Sequence, residues 1–430
     1  MQPIKHGLFY IYNRSAQIYR WGDAKNDFQV LFDDARVAPR SLQSARGRLF
    51  FLTSVVGGSH FASSKLNSIT IDGSGHAVLA EGLFTRWIEN IAGQVAINAF
   101  HRSSNETLVW DFDASTFRRE MDVVILDSLY GVSVHLTSSP SKAPSLLIKA
   151  GEALGHGLAL HLRGLPTNLA SLEHKVHRLD DYSDCITVTP PNPNGKLVII
   201  PHGGPNSVSL VEYSLNTALL THYGFTVVLV NYTGSVGFAP EGIAKLEGTI
   251  GVQDVADVMR ALEAVKATHQ VSDKVFLMGG SHGGYICAFL CGLYPEMFAG
   301  CILRNPVVDL SAMVYASDID DWAFGQMGLP YDLKHPRPAS EEELRVLQRH
   351  SPSSLVQNVK TPTLVIVGEK DLRVPPFQGR RWHQWLVANG VQSRLLVFPD
   401  ANHALDTATS EKLGLIAILE FLRDSGSMNN

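Results

Sequence analysis

The chain has 430 residues, of which 45% are apolar and 18% charged, with a formal net charge of −5. That length predicts two or three domains, and that composition predicts a folded core. The weak negative charge is spread along the chain, which excludes the clustered Lys and Arg that hold nucleic acid or anionic membrane.

The N-terminal stretch MQPIKHGLFYIYNRS contains an apolar run only from Leu8 to Tyr12. It is too short for a signal-peptide core or a membrane span, and no later run is long enough to cross a bilayer. Residues 1–165 then read as short apolar or alternating runs broken by turn residues: LFYIYN, FQVLFDD, GRLFFLTSVV, LNSITIDGSG, VAINAFH, TLVWDF and VSVHLT. Helical periodicity is scarce, so this half is expected to be all-β, either a sandwich or propeller blades. Asp72-Gly73 marks a hairpin turn. No strict internal repeat separates the two architectures.

From about residue 175 the rhythm changes. Runs apolar at every position (KLVIIPHGG, FTVVLVNY, KVFLMGG, CILRNPV, TPTLVIVGEKD, RLLVFPD) suit parallel strands buried on both faces. Helix-like segments such as Val252 to Thr268 and Gln378 to Asn389 lie between them. Thr189 to Lys196 reads as a turn between early strands. Residues 166–430 are thus expected to form an open, doubly wound α/β sheet.

Within it, the strand KVFLM runs into Gly279-Gly280-Ser281-His282-Gly283-Gly284 and then into a helix with Ile286, Phe289, Leu290 and Leu293 at i, i+3, i+4 and i+7. Three readings compete: a nucleophile on a strained turn, a phosphate loop, or a turn without chemistry. Gly279, Ser281 and Gly283 match G-x-S-x-G in the strand–turn–helix context that a nucleophile elbow requires. A Walker loop needs a Lys that is absent here, and the register is wrong for a dinucleotide fingerprint.

A serine needs a base, and the base an orienting acid. Asp371 follows the strand TLVIVGEK and His403 follows RLLVFP. Both lie just beyond strand carboxyl ends, in the Ser–Asp–His order of α/β-hydrolases. Asp400 reads as a turn former, Glu369 as structural, and His383 as a surface or packing residue. His202-Gly203-Gly204-Pro205 ends an earlier strand, so the Gly204 and His282 N–H groups are candidates for an oxyanion hole; the alternative is a plain strand-ending turn. Trp322 reads as a core aromatic and Arg373 as a surface ion-pair residue. Cys185, Cys287, Cys291 and Cys301 form no CxxC and read as reduced core thiols, which points to the cytoplasm.

The segments VIIPHGGP, VVLVNYTGSVGF, GVQDVADV, LMGGSHGGY, LRNPVVDLSAMVYASDIDDW, VKTPTLVIVGEKDLRVP and VFPDANHAL, in that order, resemble acylaminoacyl peptidase (acyl-peptide hydrolase) of the prolyl oligopeptidase group of serine peptidases. The resemblance implies an α/β-hydrolase domain that releases an acylated, commonly acetylated, amino acid from short peptides, with no cofactor and no metal. It implies Ser281, Asp371 and His403 as the triad, Gly204 and His282 as oxyanion donors, Arg373 as holding a substrate carbonyl, and Trp322 as lining the pocket for the acylated residue. Short N-acylated peptides are the expected partners, with a homo-oligomer allowed and neither nucleic acid nor membrane. The family carries a complete propeller before the hydrolase; residues 1–165 suffice for three or four blades at about 40–45 residues each. A short isoform, an incomplete gene model or a fragment is therefore expected, with open strand edges that invite association. Two alternatives stay open: a related oligopeptidase, dipeptidyl peptidase or esterase of the same fold, and an inactive product acting in protein interaction. No adjacent Glu pair occurs before residue 340, which weighs against a dipeptidyl peptidase.

Overall fold

Contacts divide the chain into two units, residues 1–165 with 210–213, and residues 166–209 with 214–430. The computed structural model describes residues 8–11, 17–21, 28–34, 37–55, 64–83, 85–91, 94–114, 116–120, 124–129, 132–139, 142–150, 158–161 and 172–425, the last range without 213, 240, 270, 273, 274, 333 and 334.

The first unit is all-β among its described residues, as its turn-punctuated pattern predicts. Four antiparallel meanders follow one another: Leu8–Ile11, Gln17–Trp21 and Phe28–Asp33; Val37–Ala45, Arg48–Val55, Ser64–Thr70 and Ala77–Leu83; Thr85–Ile91, Gln94–His101, Ser104–Asp111 and Thr116–Glu120; Val124–Leu129, Val132–Ser139, Lys142–Ala150 and Leu158–His161. First strands of successive sheets pack side by side, the arrangement of blades in a partial β-propeller. The run Arg48–Val55 is apolar at successive positions because both its faces are covered. Phe50 and Leu52 pack with Val95 and Ile97, whereas Leu49 and Phe51 pack with Ile18, Leu31 and Ile69. The hairpin turn forms at Asp72-Gly73. Gly73 adopts φ +89° and its N–H donates to Thr70 O at 2.9 Å. Hydrogen bonds from Thr70 and Ser74 pull the Asp72 carboxyl down to about 2.

The second unit carries one eight-stranded sheet. We label its strands β1 (Glu173–Arg178), β2 (Asp184–Thr189), β3 (Leu197–Pro201), β4 (Thr226–Asn231), β5 (Val275–Gly280), β6 (Phe298–Arg304), β7 (Thr363–Gly368) and β8 (Ser393–Phe398). Their spatial order is β1-β2-β4-β3-β5-β6-β7-β8, antiparallel at β1–β2 and β2–β4 and parallel from β4 to β8. This is the α/β-hydrolase sheet. The opening strand β1 was not evident from the sequence, whereas the turn expected at Thr189 to Lys196 does separate β2 from β3. β1 reads EHKVHR and is exposed at five of its six positions, so it offers no apolar run.

Five helices matter to the site: α1 (Leu215–His222), α2 (Gln253–Lys266), α3 (His282–Leu293), α4 (Phe377–Ala388) and α5 (Ala408–Asp424). Alternation along the strands feeds two cores. Val275 and Leu277 of β5 face Val258, Ile286, Leu290 and Trp382 on α2, α3 and α4. Phe276 and Met278 face Leu220 of α1 and Ile418 and Phe421 of α5. Helix α3 departs from the simple stripe read in its sequence. It is buried on every side from His282 to Gly292, while Leu293 in its last turn is 46% exposed. The reason is that α3 lies between the sheet and a second layer that includes α2 and the Pro352–Asn358 turn. The four cysteines are free and buried, and burial pushes the Cys185 thiol up to about 12. No helix among the described residues is long and apolar enough to cross a membrane.

Trp382 is 1% exposed and the largest fully buried side chain described. Trp382→Ala is expected to destabilise this unit by about 3–5 kcal/mol, through lost apolar burial and the cavity left behind. A lowered urea midpoint in circular dichroism measures it.

Candidate active site

Ser281 sits between the end of β5 and the start of α3 with φ 56° and ψ −123°. A non-glycine residue adopts such a conformation only where the surroundings enforce it. Here three backbones converge. A Cβ on Gly279 would lie 2.3 Å from Gly283 O, and one on Gly283 would lie 2.3 Å from Pro201 O at the end of β3. Glycine is therefore required at both positions. The Ser281 N–H donates to Arg304 O at 2.9 Å and its carbonyl accepts from Tyr285 N–H at 3.0 Å, which anchors the turn to β6 and to α3.

The loops after β7 and β8 bring an acid and a base to the same end of the sheet. Asp371 is buried, and its Oδ1 accepts from the N–H groups of Arg373 and Val374, both at 2.9 Å. Its Oδ2 lies 2.6 Å from His403 Nδ1. The two loops are zipped together. Glu369 N–H donates to Phe398 O and Lys370 N–H to Ala401 O, both at 2.9 Å. Asn305, the residue after β6, at φ 42°, ties them further: its Oδ1 accepts from Gly368 N–H at 2.8 Å and its Nδ2 donates to His403 O at 3.0 Å. His403 and Ser281 line one cleft of about 130 Å³ together with Gly280, Arg304, Ala404 and Leu405. The rival groups weighed in the sequence face elsewhere. Glu369 pairs with Arg380, Asp400 with Lys370 at 2.8 Å, and His383 Nδ1 meets Ser393 Oγ at 2.9 Å.

The His202–Pro205 loop lies against the elbow, because a Cβ on Gly203 would sit 3.4 Å from Ser281 Cβ. Gly204 has φ +126°, and a Cβ there would meet Asn206 N at 2.8 Å. Trp322, at the start of the short helix Trp322–Gln326, donates from Nε1 to Gly204 O at 3.2 Å and stands edge-on to the His282 ring at 6.0 Å. Arg373 pairs through Nε with Asp318 Oδ1 at 2.6 Å, and both side chains are partly exposed.

A model of the prolyl oligopeptidase family matches residues 211–427, half of the chain. The chain belongs to the prolyl oligopeptidase family. The acylamino-acid-releasing enzyme of Rattus norvegicus is 40% identical over 247 residues, which cover 56% of this chain and 33% of that protein. The enzyme of the same name from Arabidopsis thaliana is 36% identical over 259 residues, 55% of this chain and 34% of that protein. The chain thus matches these curated relatives over about a third of their length. Among solved structures, Pyrococcus horikoshii acylaminoacyl peptidase is similar with a TM-score of 0.76 at 18% identity, covering 95% of this chain and 66% of that one. A Mycobacterium tuberculosis puromycin-hydrolyzing peptidase gives 0.75 at 19% identity, covering 96% and 65%. At such identities these structures establish the fold.

Two features of this family member were not read from its sequence. One is Asn305, hidden in the run CILRNPV. The other is the partner of the His282 ring, which the sequence left without a role. Its Nε2 lies 2.8 Å from Asp254 Oδ2, with both side chains fully buried, and Asp254 Oδ1 accepts from the N–H groups of Gly251 and Val255. The ring stacks on Tyr285 at 4.9 Å. This second Asp–His pair braces the first residue of α3 against α2. A short acidic pattern such as GVQDVADV carries no sign of which carboxylate turns inward.

Burial pushes the His202 imidazole down to about 4, with the nearby His282 adding to the effect. The unfolded chain binds that proton near pH 6.5 and the folded chain only near pH 4. The stability contributed by a neutral His202 is therefore complete above about pH 6.5 and is lost as pH falls toward 4. His202→Gln is expected to flatten this part of the stability-against-pH curve, measured by urea denaturation between pH 7 and pH 4.

Proposed function

We propose that this chain is a serine peptidase that releases an N-acylated, commonly acetylated, amino acid from the N-terminus of short peptides through an acyl-enzyme. One observation carries the reading: the strained Ser281 shares a cleft with His403, whose Nδ1 is 2.6 Å from the buried Asp371 carboxylate. The similarity to acylamino-acid-releasing enzymes supports the substrate class.

In this mechanism His403 Nε2 takes the Ser281 proton as Oγ attacks the carbonyl of the acylated residue. Asp371 holds His403 with Nδ1 as the donor and stabilises the imidazolium that forms. Because Oδ1 of Asp371 is already occupied by two backbone donors, Oδ2 is committed to the histidine. The N–H groups of Gly204 and His282 receive the oxyanion; losing one such donor costs about 10²–10³ in rate. His403 returns the proton to the leaving amine, the shortened peptide departs, and water activated by His403 releases the acylated amino acid. Trp322 and the Gly204 loop form the wall on the acyl side, and Arg373 reaches a substrate carbonyl while sharing its guanidinium with Asp318. The free, buried thiols support a cytoplasmic location.

A fluorophosphonate probe is expected to label the wild-type chain and not Ser281→Ala, with Asp371→Asn lowering kcat by about 10⁴-fold. Acetyl-alanyl p-nitroanilide is expected to be cleaved in preference to the free alanyl amide. Folded wild-type chain without labelling would overturn the hydrolase reading, and preference for the free amine would overturn the acyl-peptide assignment.

A further inference from the structure

Arg304 is the last residue of β6 and lines the same cleft as Ser281 and His403. Its carbonyl accepts the Ser281 N–H, so β6 holds it directly beside the elbow. Strand alternation carries its side chain to the face of Ile302, the face covered by α5. The side chain is only partly exposed. Among the described residues its guanidinium has no hydrogen-bond or ion-pair partner. Glu411, in the first turn of α5, acts on its charge without forming an ion pair. Other arginines of this unit are matched: Arg373 with Asp318, Arg380 with Glu369, and Arg394 with Asp424.

A cation drawn out of water without a partner costs free energy. The cost is recovered where a ligand supplies the anion, and the planar fork of a guanidinium suits a carboxylate. The position of the cleft says which carboxylate. His403, Ala404 and Leu405 border it, whereas Gly204, His282 and Trp322 do not. In the reaction proposed above, His403 delivers its proton to the leaving amine, so this cleft lies on the leaving-group side. At about 130 Å³ it is small, and an anion held there stands close to the scissile bond.

We propose that Arg304 receives the C-terminal carboxylate of the leaving group, so that the enzyme favours very short acyl peptides ending in a free acid just past the scissile bond. This specificity rests on the hydrolase reading of the same site. It predicts a ratio of kcat/KM between acetyl-Ala-Ala and its C-terminal amide of roughly tenfold or more in the wild-type chain, the size of one hydrogen bond to a charged group. Arg304→Gln brings that ratio close to one, and Arg304→Lys, which keeps the charge without the fork, leaves it in between. Circular dichroism confirms that each variant is folded. Should Arg304→Gln not fold, Arg304→Lys decides alone: a fallen ratio supports the assignment and an unchanged one overturns it. A wild-type ratio near one, or a ratio unaltered in Arg304→Gln, also overturns it. Fluorophosphonate labelling separates the two levels. A chain that labels and cleaves with no preference for the acid overturns only the role of Arg304. One that neither labels nor cleaves overturns the hydrolase reading with it.

Discussion

Three backbones meet at the elbow, and the candidate site depends on their close approach. The ends of β3 and β5 and the first turn of α3 come within distances that leave no room for a Cβ at Gly279 or Gly283. This crowding holds Ser281 at positive φ, a conformation that costs on the order of 1–3 kcal/mol. Burial of α3 on every side from His282 to Gly292 offsets that cost. The outcome is a serine hydroxyl lifted beyond the sheet edge, with the free N–H groups of a helix N-terminus immediately behind it.

The acid and the base depend on the same sheet in another way. Parallel strands β7 and β8 end level with one another, so the loops that follow them lie side by side and exchange backbone hydrogen bonds. Asn305, just past the end of β6, bonds to both loops. Asp371 is buried but not isolated: two backbone donors and His403 satisfy its oxygens. The Asp254–His282 pair repeats this design one residue past Ser281, with a buried carboxylate that also takes two backbone donors. Two braced dyads thus flank Ser281, one against α2 and one within the loops after β7 and β8.

Much of this was legible in the chain because it is encoded locally. Strands buried on both faces must be apolar at every position, so β3 to β7 stood out as runs, while β8, a half-buried edge strand, carries its own apolar run. Glycines around Ser281 reflected crowding that any elbow of this kind creates. Asp371 and His403 could be placed because ligand-facing residues of a parallel sheet follow strand carboxyl ends. The strand β1 was missed because an exposed edge strand has no apolar signature. In the first unit, short apolar runs announced strands but not their grouping into four sheets. That grouping rests on pairings between strands, which no local window contains.

The sequence by itself therefore determined an all-β unit followed by an α/β-hydrolase sheet, and it singled out Ser281, Asp371 and His403 as the candidate serine, acid and base. Each of these follows from periodicity, turn chemistry or chain order. Only the tertiary structure decided what the remaining polar groups do. It gave His282 a buried carboxylate, made Asn305 a clamp between two loops, paired Arg373 with Asp318, and left Arg304, in the cleft beside Ser281, without a partner among the described residues. Whether a charge is matched depends on residues distant in the chain that packing brings within about 3 Å, and composition and spacing carry no record of that.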